Sequence, residues 1–467
     1  MDPGLDAPSL ESPSLEALSL EDYEEAVVFS EWRALRHVSS RSLERTAALM
    51  DALGYDPTAA NHRTLGVVGS KGKGTAAAYA SAALAGLGGR VGTVMSPGVI
   101  SNADRIRING EAVDEAARRR ALGRIQQAKQ QLPVAAAETG YLAPTGLFIV
   151  MAMLIFAEAE VDAVVAEAGI GGASDDLSHW RLDGVAVTGI FAEHLDLLGP
   201  TVADVAADKA AVITADTGFC LSFAQSAEPA AVLQARCAAS GTALLAPSAQ
   251  AEELVSHLLA SLQRDNAALG VSAGLALAAS AHAATSAGSQ SWDTTEARCL
   301  LHTSDFWCPQ CNIDRDAAQT SDGGERLTRT VRSVSYPGRM SVHTTPSGRR
   351  CVVDSAVSGS GLVAALDFAR SALGTVDQVL VCLPPAKDLA GFIAELEGLQ
   401  CRRVFVELPD AYTGMPDRTD WPWEWVRQDA LDQLLDSGDS LAVGTVLYTS
   451  LVLKTLGAEA QRLFTPE

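Results

Sequence analysis

Hydrophobic and polar positions along this chain switch repeatedly between the spacing of helices and the spacing of strands. Apolar residues recur at helical spacing over residues 23–54. A strand-like RTLGVVG follows, then a glycine-rich turn, an alanine-rich helix that ends at Gly88-Gly89, and the strand RVGTVMS. Strands that alternate with helices are typical of βαβ units and predict a parallel sheet.

The alternation continues toward the C-terminus with one interruption. An apolar helix over 147–158, the strands VDAVVAEAG and GVAVTGI and the helix TVADVAADKAAVI extend the first pattern, and the small-residue stretch 266–292 predicts a buried helix. Residues 291–330 are polar and lack a clear period, which predicts a linker or insertion. A second α/β pattern begins near residue 331 with the strand RRCVVDSA and the helix SGLVAALDFARSAL.

The N-terminal segment differs from the rest of the chain. It carries SLE three times with prolines and acids and has few large apolar residues, so we predict a disordered acidic tail over residues 1–22. The expected organisation is this tail, a first α/β domain over 23–290, the insertion over 291–330 and a smaller α/β domain over 331–467.

Composition and charge narrow the class of protein. The chain has 467 residues, 48% hydrophobic and 20% charged, as in soluble globular proteins. Its net charge of −22 repels polyanions, so we expect no nucleic-acid or membrane partner, and an anionic ligand needs a local positive site. Eight cysteines are too sparse for a disulfide scaffold, and no secretory signal or presequence is visible, which predicts a cytoplasmic protein.

The strongest local signal is GVVGSKGKGT, between a predicted strand and a predicted helix. Glycines let successive backbone N–H groups surround a phosphate at a helix N-terminus. We expect Lys73 to reach the β- and γ-phosphates of ATP and the Thr75 hydroxyl to ligate Mg²⁺. The motif has one extra glycine between these two residues relative to the standard Walker A pattern, and a turn that binds nothing is the alternative. The predicted ATP-binding residues of the loop are Gly69, Ser70, Lys71, Gly72, Lys73, Gly74 and Thr75.

The loop GSKGKGT resembles the GT-x-GKGS loop of the folylpolyglutamate and dihydrofolate synthase family, a branch of the Mur-type ATP-dependent amide ligases. Further segments resemble that family's motifs in the family's order: RIRINGE, EAGIGG, AEHLDLLG, ADKAAVI, QRDNAAL, YPGRM and GTVLY. The resemblance implies two α/β domains, a P-loop ATPase domain with a parallel-rich sheet and a smaller Rossmann-like domain, with ATP between them.

The resemblance also implies roles for individual residues. Ser96, Glu167 and His194 correspond to the family's Mg²⁺ ligands, each after a predicted strand, although a solvated Glu and a hydrogen-bonded structural His are alternatives. Lys209 corresponds to a carbamylated lysine that helps to anchor a second Mg²⁺, against an ion-paired lysine. Among residues implied to contact ATP, Asn266 corresponds to an adenine contact, against a helix N-cap, and Arg339 and Asp354 correspond to residues of the second domain. Lys73, His194 and Lys209 are the implied catalytic residues.

The implied reaction joins a carboxylic acid to an amine, with ATP converted to ADP and phosphate through an acyl phosphate. The substrates are a small-molecule acid and an amino acid. Several positions depart from the family: Gly98 replaces His, Thr145-Gly146 replace Phe-Glu, Glu193 replaces Asp, and Val357 and Ser358 replace His and Asn. We therefore expect folylpolyglutamate or dihydrofolate synthase-like activity, or a related ligase for another acid. A nucleotide-binding protein without ligase chemistry is the third alternative.

One cluster lies outside the family pattern. Cys299, His302, Cys308 and Cys311 form a C-x₂-H-x₅-C-x₂-C arrangement, and four such ligands can complete the tetrahedral shell of a structural Zn²⁺. The middle spacer is shorter than usual, so unligated thiols or a plain insertion remain alternatives.

Overall fold

The computed structural model describes residues 18–59, 61–280, 307–308, 313–314, 322–409 and 414–466. The chain forms two compact units. The first comprises Met1–Pro57 and Asp114–Ile155, and the second comprises Thr58–Val113 and Phe156–Glu467. None of the helices within the described ranges is long and apolar enough to cross a membrane.

The first unit is helical. The helices that start at residues 20, 43 and 115 begin at the side-chain caps Ser19, Ser42 and Asp114. The first helix begins at Leu20, which is buried, so ordered structure starts earlier than the predicted tail boundary at residue 22. The helices are Leu20–Glu24, a π-helical turn Glu25–Phe29, Ser30–Leu35, Leu43–Leu53, Glu115–Lys129 and Pro144–Glu158, the last ending in the second unit.

A buried ionic cluster ties the separate segments of this unit together. Glu31 accepts two bonds from the Arg45 guanidinium, at 2.9 and 3.1 Å, and lies 3.5 Å from Lys129 Nζ. Lys129 also donates to Val27 O at 2.7 Å. Burial raises the pKa of Glu31, but its hydrogen bonds and the two cations outweigh that effect and leave the pKa below its ordinary value. The paired carboxylate is therefore favoured in its ionised form.

The second unit contains two mixed sheets that are mostly parallel. The larger sheet has eight strands in the order β4-β3-β2-β5-β1-β6-β7-β8, antiparallel only at β2/β3 and β3/β4. Its strands are β1 Arg63–Val68, β2 Val91–Val94, β3 Ile106–Ile108, β4 Glu111–Ala112, β5 Ala163–Glu167, β6 Gly184–Val187, β7 Phe219–Ser222 and β8 Ala243–Leu245. The central strands β1, β5 and β6 are buried along nearly their whole length, which explains their continuous apolar runs.

A short antiparallel pair, β9 Trp307–Cys308 and β10 Ile313–Asp314, precedes the smaller sheet. The smaller sheet has six strands in the order β11-β12-β16-β13-β14-β15, antiparallel only at β11/β12. These strands are β11 Ser341–Thr344, β12 Arg350–Asp354, β13 Gln378–Cys382, β14 Arg402–Glu407, β15 Glu424–Arg427 and β16 Ser440–Gly444. One hydrophobic core contains apolar side chains of both sheets, and a second core contains further apolar side chains of the smaller sheet.

Helices cover the two sheets of this unit. They are Lys73–Gly86, Leu195–Leu198, Val202–Ala210, Ala227–Ser240, Ala249–Leu254, Leu262–Ala279, Asp322–Arg332, Gly359–Leu373, Leu389–Glu397, Leu431–Ser437 and Val446–Thr455, with single 3₁₀ turns at Asn102–Asp104, Asp176–His179, Arg418–Asp420 and Gln428–Ala430. Together with the sheets they confirm the predicted α/β fold class.

Two of these helices pack unusually closely. Residues 74–86 of the helix after β1 are all buried, and residues 266–278 of Leu262–Ala279 are buried as well. A side chain at Gly270 would collide with the backbone carbonyl of Ala76, and one at Gly274 would lie 2.7 Å from Ala80 O. Small residues therefore let the two backbones approach each other, and residues 266–278 form the buried helix that the small-residue stretch predicts.

Part of the segment predicted as a linker is a helix. Asp322–Arg332 begins before the predicted end of the insertion at residue 330. Leu327 and Val331 are buried, and Arg326 donates to Gly86 O at 2.7 Å. Only two large apolar residues four apart mark this buried face, so the sequence shows too little periodicity to reveal it.

Candidate active site

A cavity of about 410 Å³ opens in the second unit, where the carboxyl ends of the central strands of the larger sheet approach loops of the smaller sheet. Ligands in open α/β sheets bind at this edge. The residues that line the cavity are Ser70–Thr75, Ser96, Glu167, Phe191–His194, Leu262, Gln263, Asn266, Arg339, Met340, Asp354, Ser355, Val357, Ser358 and Ala386–Asp388.

The glycine-rich loop has the geometry of a phosphate-binding turn. Ser70 N–H donates to Gly189 O at 2.8 Å, and Gly72, in the left-handed region at φ 93°, caps the helix Lys73–Gly86. Lys73 Nζ donates to Gly69 O at 3.0 Å, which holds its ammonium over the loop. The start of a 14-residue helix and the ammonium together form a local positive site in an acidic chain.

Ser96 and Glu167 are brought together from two neighbouring strands. Glu167 ends β5, and its Oε2 accepts the Ser96 N–H at 3.0 Å. Its side chain is almost fully buried, and burial raises its pKa although Lys73 and the Ser96 N–H act in the opposite direction. Arg105 donates to the Ser96 hydroxyl at 3.5 Å. A buried carboxylate beside a hydroxyl offers the hard oxygen donors that suit Mg²⁺.

His194 lines the same cavity. It precedes the short helix Leu195–Leu198 with φ 46°, and burial lowers the pKa of its imidazole while Glu193 acts in the opposite direction. Across the described ranges, no group of three or more His, Cys, Asp or Glu side chains is close enough to hold a metal ion. The assignment of Ser96, Glu167 and His194 as metal ligands stays a prediction.

Lys209 is a fully buried lysine of the helix Val202–Ala210. Its Nζ lies 2.8 Å from Glu193 Oε1 and donates to Gly69 O at 3.0 Å. Burial and the nearby Lys73 lower its pKa, and Glu193 partly opposes them. The acid that pairs with Lys209 thus comes from the segment after β6 and not from its own helix, and the carbamylation of Lys209 stays a prediction.

The remaining predicted contacts lie on the walls of the cavity. Asn266 is the fifth residue of Leu262–Ala279, so it is not a helix N-cap; its Nδ2 donates to Leu262 O at 2.6 Å. Its Oδ1 is buried and has no hydrogen-bond partner among the described residues. Arg339 follows Gly338 in a turn, and Asp354 ends β12. All three predicted residues therefore line one cavity, although they are distant in sequence.

The sequence alone did not reveal four residues near this site. Gln263, Lys387 and Asp388 line the cavity, and a side chain at Gly74 would collide with the Tyr336 hydroxyl. Burial raises the pKa of Tyr336 to about 12, which keeps the phenol protonated. Lys387 and Asp388 follow the buried strand β13. Their position after such a strand is the sequence feature that could have identified them as residues of the site.

The zinc prediction falls largely outside the described part of the chain. Cys299, His302 and Cys311 lie beyond it, and for Cys308 only the backbone position in β9 is described. Zinc binding there stays a prediction.

Curated relatives match the chain over part of its length, whereas no protein-family model matches it. A probable bifunctional folylpolyglutamate synthase/dihydropteroate synthase of Halobacterium salinarum is 35% identical over 37% of this chain and 21% of that protein. Dihydrofolate synthase/folylpolyglutamate synthases of Mycobacterium tuberculosis and Escherichia coli are 32% and 29% identical over 37% and 32% of this chain. The matches span 36% and 34% of those two proteins, so the chain matches well under half the length of each of these relatives.

Solved structures match nearly the whole chain. The folylpolyglutamate synthase of M. tuberculosis, complexed with ADP and AMPPCP, gives a TM-score of 0.70 at 19% identity and covers 93% of this chain and 99% of that one. The folylpolyglutamate synthase of Thermotoga maritima gives 0.67 at 16% identity, over 93% and 97%. Matched sequence segments and a shared fold confirm the resemblance that the motifs predict.

Proposed function

We propose that this chain, which resembles the folylpolyglutamate and dihydrofolate synthases in sequence and fold, is an ATP-dependent ligase that joins a carboxylic acid to an amine. The observation that carries the proposal is the single cavity lined by the glycine-rich loop, by Glu167 and by Arg339. Positive charge and a buried carboxylate in one cavity suit a reaction between a nucleotide phosphate and an acid.

The loop residues Gly69–Thr75 bind the phosphates of ATP through their backbone N–H groups in this proposal, with the Lys73 ammonium at the terminal phosphates. Asn266 offers a buried amide oxygen without a partner in the described chain, which fits a hydrogen bond from the adenine amino group. Arg339 and Asp354 belong to the opposite wall. A related structure bound to AMPPCP and folate supports a nucleotide and an acid as ligands of this fold.

The oxygen donors near the loop fit Mg²⁺, as judged from the buried Glu167 carboxylate beside Ser96. Thr75, Ser96, Glu167 and His194 would hold the ion, which supplies charge neutralisation at the phosphates. Lys209, if carbamylated, would add a further carboxylate there.

The chemistry then follows from charge and placement. The substrate carboxylate attacks the terminal phosphoryl group, ADP leaves, and a neutral amine attacks the resulting acyl phosphate and releases phosphate. Lys73 and Arg339 would stabilise the negative charge that develops. The proposed partners are a small-molecule acid and an amino acid, and the proposed location is the cytoplasm. The proposed ATPase domain is 23–290, and the proposed Rossmann-like domain is 331–467.

One observation favours an acid other than a folate. Gly98 stands where the family has His, and a side chain there would collide with the Ser101 carbonyl. Asp104 fixes this segment by accepting the N–H groups of Val99, Ile100 and Ser101 at 2.6, 2.8 and 3.0 Å. A histidine here would therefore require this segment to shift, and the apolar Val357 lines the cavity where the family has a second histidine. The second candidate is therefore a ligase of the same architecture for a non-folate acid.

The deciding experiment is a substrate screen of the purified full chain with ATP and Mg²⁺. Folates and other carboxylic acids are each paired with a panel of amino acids, and ADP release and the amide product are measured. We expect ADP release that requires both acid and amine, and its loss in Lys73→Ala, since removing this charge should cost about 3 kcal/mol of transition-state stabilisation or more. Lys454→Met, on an exposed helix position, is the matched control. ATP turnover in Lys73→Ala within twofold of wild type would refute the nucleotide assignment.

A further inference from the structure

Lys71 is a lysine of the glycine-rich loop whose position the family motif leaves unspecified, and the proposed reaction gives it no separate role. Its ammonium does not lie over the loop as that of Lys73 does. It lies 3.5 Å from Asp354 Oδ1, and Asp354 belongs to β12 of the smaller sheet. The pair is therefore a direct ionic link from the glycine-rich loop to the opposite wall of the cavity.

Asp354 also stabilises the backbone turn that contains Arg339. Its carboxylate is only 3% exposed, and its Oδ2 accepts the Met340 N–H at 3.1 Å. Met340 and Gly338, on either side of Arg339, both adopt left-handed backbone conformations, at φ 47° and 75°. A turn with this backbone depends on its hydrogen bonds, because a left-handed conformation is unfavourable for methionine.

A second bond holds the same turn from the first wall. Gln263, at the start of Leu262–Ala279, donates from Nε2 to Arg339 O at 2.9 Å. The Gly338 N–H donates to Ser341 Oγ at 2.8 Å and closes the turn. The position of Arg339 is thus determined by Gln263 on one side and by Asp354 on the other.

We propose that Lys71 is a positioning residue: its ion pair with Asp354 fixes the glycine-rich loop relative to the turn that carries Arg339. Lys73 and Arg339, the two cations proposed to act on the phosphates, are then held at one spacing across the cavity. The kinetic part of this inference rests on the proposed ligase function, whereas its structural part does not.

The charge of Asp354 explains why a cation is required at position 71. A nearly buried carboxylate without a cationic partner is strongly disfavoured, so Lys71→Met should loosen Asp354 and with it the Met340 N–H bond. Asp354→Asn keeps an oxygen acceptor but removes the charge. In the double variant no charge is left unpaired, so the double variant should be no worse than Lys71→Met alone.

The experiment compares Lys71→Met, Lys71→Arg, Asp354→Asn and the Lys71→Met/Asp354→Asn double variant, with Lys454→Met as the control. The first readout is amide hydrogen exchange of residues 70–75 and 338–341 in the full chain without added substrate. The second is the dissociation constant of ATP by calorimetry. The third is kcat for the acid and amine that the screen identifies.

We expect Lys71→Met to speed exchange at residues 338–341 about tenfold, Lys71→Arg to stay within about threefold of wild type, and the double variant to exchange no faster than Lys71→Met. Ligase kcat should fall about tenfold in Lys71→Met while the ATP dissociation constant changes less than about threefold. Unchanged exchange at 338–341 in Lys71→Met, or effects that multiply in the double variant, would overturn the proposal. The screen could also find no ligase activity while hydrogen exchange at residues 338–341 changes as expected. That result would support the positioning role of Lys71 and refute only the proposed ligase function.

Discussion

Lys209 Nζ and Glu193 Oε1 form an ion pair of 2.8 Å beneath the glycine-rich loop. The same ammonium donates to the Gly69 carbonyl, so the conformation of the loop and the charge of Glu193 are connected through one buried lysine. The segments that follow β1 and β6 therefore meet at a buried lysine of the helix Val202–Ala210, and burial disfavours the protonated form of that lysine.

Replacing Lys209 by Gln should lower kcat by about tenfold or more, because the loop loses a bond at Gly69 and Glu193 loses its partner. The measurement is steady-state kinetics on the ligase reaction, with far-ultraviolet circular dichroism to establish that the variant is folded. Lys454→Gln, on an exposed helix position, is the matched control. A folded Lys209→Gln with unchanged kcat would exclude both the catalytic and the loop-supporting role.

Glu167→Gln and His194→Ala should each raise the Mg²⁺ concentration needed for half-maximal ATP turnover. Each change removes a proposed donor to a hard cation that tolerates few poor ligands. A Mg²⁺ titration at saturating ATP measures the effect. If His194→Ala titrates like wild type and Glu167→Gln does not, the metal site is limited to the Ser96 and Glu167 side of the cavity.

Arg45→Met in the helical unit should destabilise the protein by about 3 kcal/mol, because it leaves the Glu31 carboxylate buried with only Lys129 for charge compensation. Arg33→Met is the matched control: Arg33 also pairs with a glutamate, Glu25, but these side chains are 60% and 38% exposed, far more than those of Arg45 and Glu31. Its loss should cost less than about 1 kcal/mol. Hydrogen exchange of Leu43–Leu53 in increasing urea compares the two, and equal costs would show that burial does not govern these pairs.

Stability should fall as the pH drops from 7 toward 5.5. Burial lowers the pKa of His62, whose Nε2 is buried without a hydrogen-bond partner in the described chain, and burial also lowers the pKa of His194, His257 and His343. A lowered folded pKa means that the unfolded chain binds more protons, so stability is lost as the pH falls through the ordinary value of 6.5, by at most about 1.4 kcal/mol per pH unit per histidine. Thermal melts should show a shallower slope for His62→Gln than for wild type. A slope that does not change would mean that His62 is not neutral in the folded protein.

A folate paired with glutamate should be a poor substrate, although ATP binds normally. Gly98 and Val357 remove two histidines of the family pattern, and a polar substrate that faces unpaired surface loses several kcal/mol. Steady-state kinetics with dihydropteroate or a reduced folate settle the question. A kcat/KM of about 10⁴ M⁻¹s⁻¹ or more would show this prediction wrong and favour the folate activity.

The sequence predicts strands β1, β2, β5, β6 and β12 and the loop after β1, because buried parallel strands leave continuous apolar runs with chemistry at their ends. It does not reveal the helix Asp322–Arg332, in which Leu327 and Val331 form the buried face and the room for Leu327 comes from Gly86 on another helix. Nor does it predict that residues 1–57 and 114–155 form one unit. That unit depends on bonds such as Arg45 to Glu31 and Lys129 to Val27, which become visible only in three dimensions.

The close packing of Lys73–Gly86 against Leu262–Ala279 has a consequence for biosynthesis. A ribosome releases the glycine-rich loop and its helix long before the glycines that receive them, Gly270 and Gly274, have been translated. Until then the alanine-rich helix, which has no wide polar face, exposes its apolar surface next to a sheet that is not yet complete. Exposed apolar surface at this stage favours misassembly. Chaperone protection during that interval, and synonymous codons that set its length, should therefore influence the yield of active protein more than the intrinsic stability of either helix.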